Sequence, residues 1–157
     1  MTEIAQIRNA TAAEREALSE LHRRSSYVWE ADRADLDAHP DALGVAGEAI
    51  AAGRVRVAVG AGGELLGFSV VTDGSDGVCE LDDLFVEPRL MRRGIGRALV
   101  EDAAARAVRA GSAAMTVVAH PRNFAFYESV GFLRGEPVAT RFGPAVKLQR
   151  ELGCGRA

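Results

Sequence analysis

The sequence predicts an α/β fold of the α+β kind: a central, mixed but mostly antiparallel twisted sheet of six or seven strands, flanked by about four helices. Three observations carry this. Val55, Val57 and Val59, then Leu66, Phe68 and Val70, alternate with other residues across the turn Gly60-Ala61-Gly62-Gly63, as half-buried strands of an antiparallel pair do. The apolar run Leu81–Val86, stopped by Glu87-Pro88, gives way to Ile95, Ala98, Leu99 and Ala103 at helical spacing. A further strand, Ala114–Ala119, follows that helix, and strand–helix–strand implies a parallel crossover.

The remaining elements follow in order. Ile4–Arg8 makes a short first strand. Thr11 opens a helix, because Glu14 stands at capping-box spacing, and Leu18 and Leu21 form its core stripe before it ends near Ser25-Ser26. The stretch 27–40 is irregular, and a second helix is expected over Asp41–Ala52, closed by Gly53. Asp73–Gly77 turns into the fourth strand. There Cys79 and Leu81 are apolar at odd positions and Leu84 and Val86 at even ones. A β-bulge near Asp82-Asp83 or burial of both strand faces would each explain the slip. The helix from Ile95 ends at Gly111, a short one spans Pro121–Val130, and two last strands lie near Phe132–Val138 and Ala145–Gln149.

With 157 residues, 48% apolar and 26% charged, the chain suits one globular domain, expected over residues 1–150 with a C-terminal tail at 151–157 that frays from Gly153. A net charge of -3 gives no footprint for non-specific nucleic-acid binding. No apolar run is long enough for a bilayer, and the first residues lack a signal-peptide core, so a cytoplasmic protein is expected. Cys79 and Cys154, with the scattered His22, His39 and His120, suggest neither a disulfide framework nor a metal site.

The chemistry centres on Met91-Arg92-Arg93-Gly94-Ile95-Gly96-Arg97, a basic Gly-x-Gly loop entering a helix. A helix start offers unpaired N–H groups and the positive end of the macrodipole, glycine lets that backbone approach a ligand, and arginines add charge. Phosphate or pyrophosphate fits such a site, although spacing alone also allows a simple tight turn. The dinucleotide fingerprint is excluded, since its third small residue falls on Leu99. The nucleotide-triphosphate loop is excluded too, since the only lysine is Lys147.

The strand ending in Leu84-x-Val86-x-Pro88, this loop and its helix resemble the acetyl-CoA-binding signature of the GNAT superfamily of N-acetyltransferases. The second family signature follows in Ala119–Phe132, with Phe126-Tyr127-x-x-x-Gly131-Phe132 intact. The resemblance implies acetyl-CoA as co-substrate. It assigns its binding to Leu84, Phe85 and Val86 along the pantetheine, to Met91, Arg92, Arg93, Gly94, Ile95, Gly96, Arg97 and Ala98 at the pyrophosphate, and to His120, Asn123, Phe126 and Tyr127. Met91 stands where the family usually has Gln or Arg, and His120 where Asn often precedes the short helix. The family's fourth strand carries a bulge, which favours that explanation of the parity slip.

Acetyl transfer to an amine asks for three things. An amine of pKa about 10.4 must lose a proton at pH 7, a cost of about 4–5 kcal/mol. Glu80, Asp82 and Asp83, on the strand leading to the thioester, are the candidate bases; each is equally a solvated or capping carboxylate. A strand N–H near Phe85 would meet charge on the thioester oxygen. A tyrosine of pKa about 10 is a workable acid for a thiolate of pKa about 8.5, so Tyr127 is the expected donor; its alternative is a packed ring. Tyr27 and Trp29 are candidates for the acceptor pocket, though core packing is the favoured role of Trp29.

The expected function is direct acetyl transfer to a small amine or a peptide or protein amino group. The alternatives are a CoA-binding regulatory or interaction module without catalysis, and an acyltransferase for another acyl-CoA or an alcohol. No nucleic-acid or membrane partner is expected, and the resemblance allows a homodimer through the sheet edge or last strands.

Overall fold

The computed structural model describes residues 3–26, 45–74, 76–140 and 143–153. Seven strands form one sheet in the order β1-β2-β3-β4-β5-β7-β6: β1 Ile4–Asn9, β2 Val55–Gly60, β3 Leu65–Asp73, β4 Val78–Val86, β5 Ala114–Ala119, β6 Leu133–Thr140 and β7 Gly143–Glu151. Among the described residues the α-helices are α1 Arg15–Ser26, α2 Gly47–Ala51, α3 Ile95–Arg109 and α4 Phe124–Ser129. Among the described pairings only β4 with β5 is parallel, as the strand–helix–strand pattern requires. Contacts group the chain into two units, Met1–Val70 with Asp83–Leu99 and Val71–Asp82 with Val100–Ala157.

In the first unit, β2 pairs antiparallel with both β1 and β3. The turn before α1 is set as its sequence implies: Glu14 Oε1 accepts the Thr11 N–H at 2.9 Å. Leu18 and Leu21 of α1 are fully buried with Ala49 and Ile50 of α2, Val55, Val57, Phe68 and Val70. A second cluster holds Ala58, Leu66, Leu90, Ile95 and Leu99. Phe85 packs on the first cluster, Leu84 and Val86 on the second. The end of β4 is therefore apolar at both parities because both of its faces are covered. Ala58, which alternates with Val57 and Val59 along β2, is buried in the second cluster.

The second helix differs from expectation. It occupies Gly47–Ala51 instead of Asp41–Ala52, and residues 41–44 lie outside the described ones. Ala46 is extended, and the backbone of Val45 is bound by α1: its N–H donates to Ser19 Oγ at 3.0 Å and its carbonyl accepts Arg15 Nε at 2.9 Å. Side chains of α1 have taken the groups a helix would need there. The expected close at Gly53 holds, with φ at 76°.

In the second unit, β4 begins with a short parallel ladder, Val78–Glu80 against Ala114–Thr116. Beyond β5 come β7 and then β6, both joined antiparallel. Val100, Ala103, Ala104 and Ala107 of α3 are buried, as are Met115, Val117, Phe132 and Leu148. Small residues along α3 match its role as a closely packed crossover helix.

Candidate functional site

The Gly-x-Gly loop lies in the first unit. Pro88–Leu90 makes one helical turn, closed by Leu90 N–H to Glu87 O at 2.8 Å. Met91 is extended, and then the chain takes two left-handed residues: Arg92 at φ 67° and Gly94 at φ 85°. For arginine that conformation costs about 1–2 kcal/mol, a strain of the kind that clusters at ligand sites. A Cβ added at Gly94 would meet nothing within 4 Å, so the space over the loop backbone is open. The ladder of α3 starts with Ala98 N–H to Gly94 O at 3.0 Å. Earlier N–H groups of the helix therefore have no acceptor within it and face the loop side. Ile95 and Leu99 anchor this start in the core; Arg92, Arg93 and Arg97 are exposed around it. Gly96 and Ala98 are half-buried, and Met91 is 47% exposed, adding no polar group to the loop. Open backbone, left-handed turns, a helix start and three cations suit a bound pyrophosphate.

Leu84, Phe85 and Val86 are half-buried and lead into this loop. The Val86 carbonyl accepts Ser25 Oγ at 2.7 Å. Next to it, buried Glu87 takes a bidentate grip from Arg24, at 2.8 and 3.1 Å, which holds that guanidinium firmly in its charged form. Gly67 lets β3 lie close: a Cβ there would sit 2.7 Å from Phe85 O and 3.3 Å from Val86 Cα. Gly67 is a residue whose role no sequence expectation covers, although a lone glycine inside a strand pattern is a known signal of close approach. Ser25, Arg24 and Glu87 carry no local signal, because their partners lie about sixty positions apart in the chain. His22 of α1 is buried against Phe85, ring centroids 4.3 Å apart.

The three candidate carboxylates sit in different settings. Glu80 pairs with Thr116 across the parallel ladder and is half-buried; Asp82 is exposed; Asp83, in the first unit, is half-buried.

In the second unit, His120-Pro121 leads into one helical turn and then α4. His120 is half-buried, its Nδ1 3.3 Å from the Pro144 carbonyl, which accepts when that nitrogen holds the proton. Asn123 donates its N–H to His120 O at 2.9 Å. Tyr127 is 8% exposed, with Phe126 and Phe132 edge-on to its ring at 5.0 and 5.5 Å. Tyr27 and Trp29 lie outside the described residues. Among the described residues no group of three His, Cys, Asp or Glu is placed to hold a metal ion. No helix among them is long and apolar enough to cross a membrane.

The chain matches the model of the acetyltransferase (GNAT) family over residues 14–132. No curated protein matches it. Among solved structures, it resembles the PaiA N-acetyltransferase of Thermoplasma acidophilum in complex with coenzyme A, with TM-score 0.73 and 18% identity over 93% of this chain and 98% of that one. A phosphinothricin acetyltransferase of Sinorhizobium meliloti in complex with AcCoA gives TM-score 0.71 and 23% identity over 98% and 91%. The ribosomal-protein-S18-alanine N-acetyltransferase of Escherichia coli gives 0.68 and 19% over 97% and 94%. At these identities the likeness is one of fold.

Proposed function

The chain belongs to the GNAT acetyltransferase family, and from that premise we propose that it transfers the acetyl group of acetyl-CoA directly to a primary amine of a small molecule, a peptide or a protein. The observation that carries the reading is the loop with left-handed Arg92 and Gly94 opening onto the start of α3. The family match spans parts of both units, which favours one acetyltransferase domain over residues 1–150. A cytoplasmic protein without nucleic-acid or membrane partner, free to form a homodimer, remains part of this reading.

Acetyl-CoA supplies an activated thioester, and the chain's residues do the rest. Backbone N–H groups between Arg92 and Arg97 hold the pyrophosphate, with the arginine side chains around it. The backbone of Leu84, Phe85 and Val86 aligns the pantetheine as an added strand would be aligned. The N–H near Phe85 donates to the carbonyl oxygen as charge grows on it. Glu80, Asp82 or Asp83, directly or through water, takes the amine proton, and Tyr127 gives a proton to the departing thiolate. The reading adds His120, Asn123 and Phe126 to the cofactor contacts and keeps Tyr27 and Trp29, which lie outside the described residues, as the acceptor-side candidates.

The second reading, a CoA-binding module without catalysis, draws on the burial of Tyr127 between two phenylalanines. Calorimetric titration with acetyl-CoA, CoA and ATP comes first. Binding of both CoA species but not ATP supports the site, and absence of acetyl-CoA binding overturns it. Thiol release from acetyl-CoA across an amine panel then separates enzyme from binding module. Release with longer acyl-CoA or with alcohols alone would move the assignment to another acyltransferase.

A further inference from the structure

The helix that carries Tyr127 has six residues, Phe124–Ser129, too few to hold its own geometry. Its last turn is tied down from two sides. The Tyr127 carbonyl accepts the N–H groups of Val130 at 3.1 Å and Phe132 at 3.0 Å, across Gly131 at φ 98°. The Val130 carbonyl, an orphan acceptor of the helix end, receives Arg150 Nη1 at 3.2 Å. Arg150 comes from β7 and is itself fixed by Glu101 of α3, through Nη1–Oε2 at 3.1 Å and Nη2–Oε1 at 3.0 Å. Its stem runs along Gly131, where an added Cβ would lie 3.4 Å from Cδ and 3.5 Å from Nε. One planar fork thus serves a carboxylate and a helix-end carbonyl together, which an ammonium on a flexible stem does less well.

We propose that Arg150, held by Glu101, is a positioning residue that sets Tyr127 for proton donation to the leaving thiolate. This inference rests on the reading of Tyr127 as that donor. Arg150 touches neither the thioester nor the acceptor in this scheme. It fixes the turn whose backbone bonds end on the Tyr127 carbonyl, and a displacement of that turn swings the phenol by a comparable amount.

The test is a double-mutant cycle of Arg150→Ala and Tyr127→Phe, reading thiol release from acetyl-CoA with hydroxylamine as a generic acceptor. Arg150→Ala is expected to lower kcat roughly tenfold or more with KM for acetyl-CoA within about twofold. Arg150→Lys recovers part of the loss, and Arg150→Ala added to Tyr127→Phe costs no more than about twofold further. Equal losses from Arg150→Ala in both backgrounds overturn the inference while leaving Tyr127 as donor. A Tyr127→Phe variant with unchanged kcat overturns the donor reading itself. Should Arg150→Ala not fold, Glu101→Gln takes its place in the cycle. Turnover too slow to measure moves the test to fluorine NMR of protein labelled with 3-fluorotyrosine. The chain has two tyrosines, and Tyr127→Phe assigns the signal. A shifted or broadened Tyr127 signal in Arg150→Ala is expected, and an unchanged one overturns the inference.

Discussion

The Ser25 hydroxyl donates to the Val86 carbonyl at 2.7 Å, tying the last turn of α1 to the end of β4. Beside this contact Arg24, one residue before Ser25, holds Glu87, one residue after Val86, with two bonds. The strand assigned to pantetheine thus arrives at the loop with its last residue and the one after it fixed by one helix. Glu87→Gln keeps the shape but removes the charge from a nearly buried carboxylate. Arg24 is half in solvent, which tempers the loss to about 1 kcal/mol. Urea unfolding checks it, and a difference below about 0.3 kcal/mol would reduce the pair to an ordinary surface contact.

The strand periods, the cap at Thr11, the glycine that ends α2 and the crossover were legible because each is written in residues a few positions apart. The Gly-x-Gly loop was legible for the same reason. Gly67 was visible in principle, as a break in the pattern Leu66, Phe68, Val70. Ser25, Glu87 and Arg150 were not: nothing near Arg150 in sequence announces Glu101 or the Val130 carbonyl, which only the fold brings to it. The start of α2 was misread because Val45 spends its backbone bonds on Arg15 and Ser19, partners that local propensity does not see.

Glu14 gives the chain an acid-sensitive contact. Hydrogen bonding to Arg8, aided by the Thr11 N–H and opposed by partial burial, lowers its carboxyl from 4.5 to about 2. The folded state therefore keeps the ionised form while the unfolded chain protonates. The stability this adds is complete above about pH 4.5 and is lost as pH falls towards 2. Both side chains are partly solvated, at 31% for Arg8 and 20% for Glu14, so the gain is about 1–2 kcal/mol, below the full linkage value. Glu14→Gln should lower stability at pH 7 by that amount and by almost nothing at pH 2. Equal losses at both pH values would point to packing instead.

Tyr127→Phe keeps the aromatic packing against Phe126 and Phe132 and removes only the hydroxyl. The expected result is a fall in kcat of about 10²-fold or more, with affinity for acetyl-CoA little changed. Steady-state kinetics beside a calorimetric titration separates the two. Unaltered turnover would make the tyrosine a packing residue.

Gly67→Ala probes the approach of β3 to β4. The new Cβ would lie 2.7 Å from Phe85 O, 3.2 Å from Leu99 Cδ1 and 3.3 Å from Val86 Cα. Leu99 can adjust, but two of the three contacts are backbone, so β4 itself must move. A loss of about 1–3 kcal/mol is expected, together with weaker acetyl-CoA binding through Leu84–Val86. Stability lost with binding intact, read by thermal melts and calorimetry, would separate the strand's packing from the proposed ligand contact.

Arg92 and Gly94 allow the loop backbone and its charge to be tested apart. Gly94→Ala meets no steric obstacle, so its cost is the left-handed φ alone, about 1–2 kcal/mol of strain or a reshaped loop. Arg92→Gly does the opposite: it relieves a left-handed φ while deleting a cation. The first variant should weaken acetyl-CoA binding by distorting the N–H groups; the second should hold or raise thermal stability yet bind more weakly. Raising the salt concentration should narrow the gap between wild type and Arg92→Gly, because exposed charges are screened, and leave the Gly94→Ala deficit nearly constant. If both variants bind acetyl-CoA as wild type does, the loop is only a turn, and the pyrophosphate must be sought elsewhere.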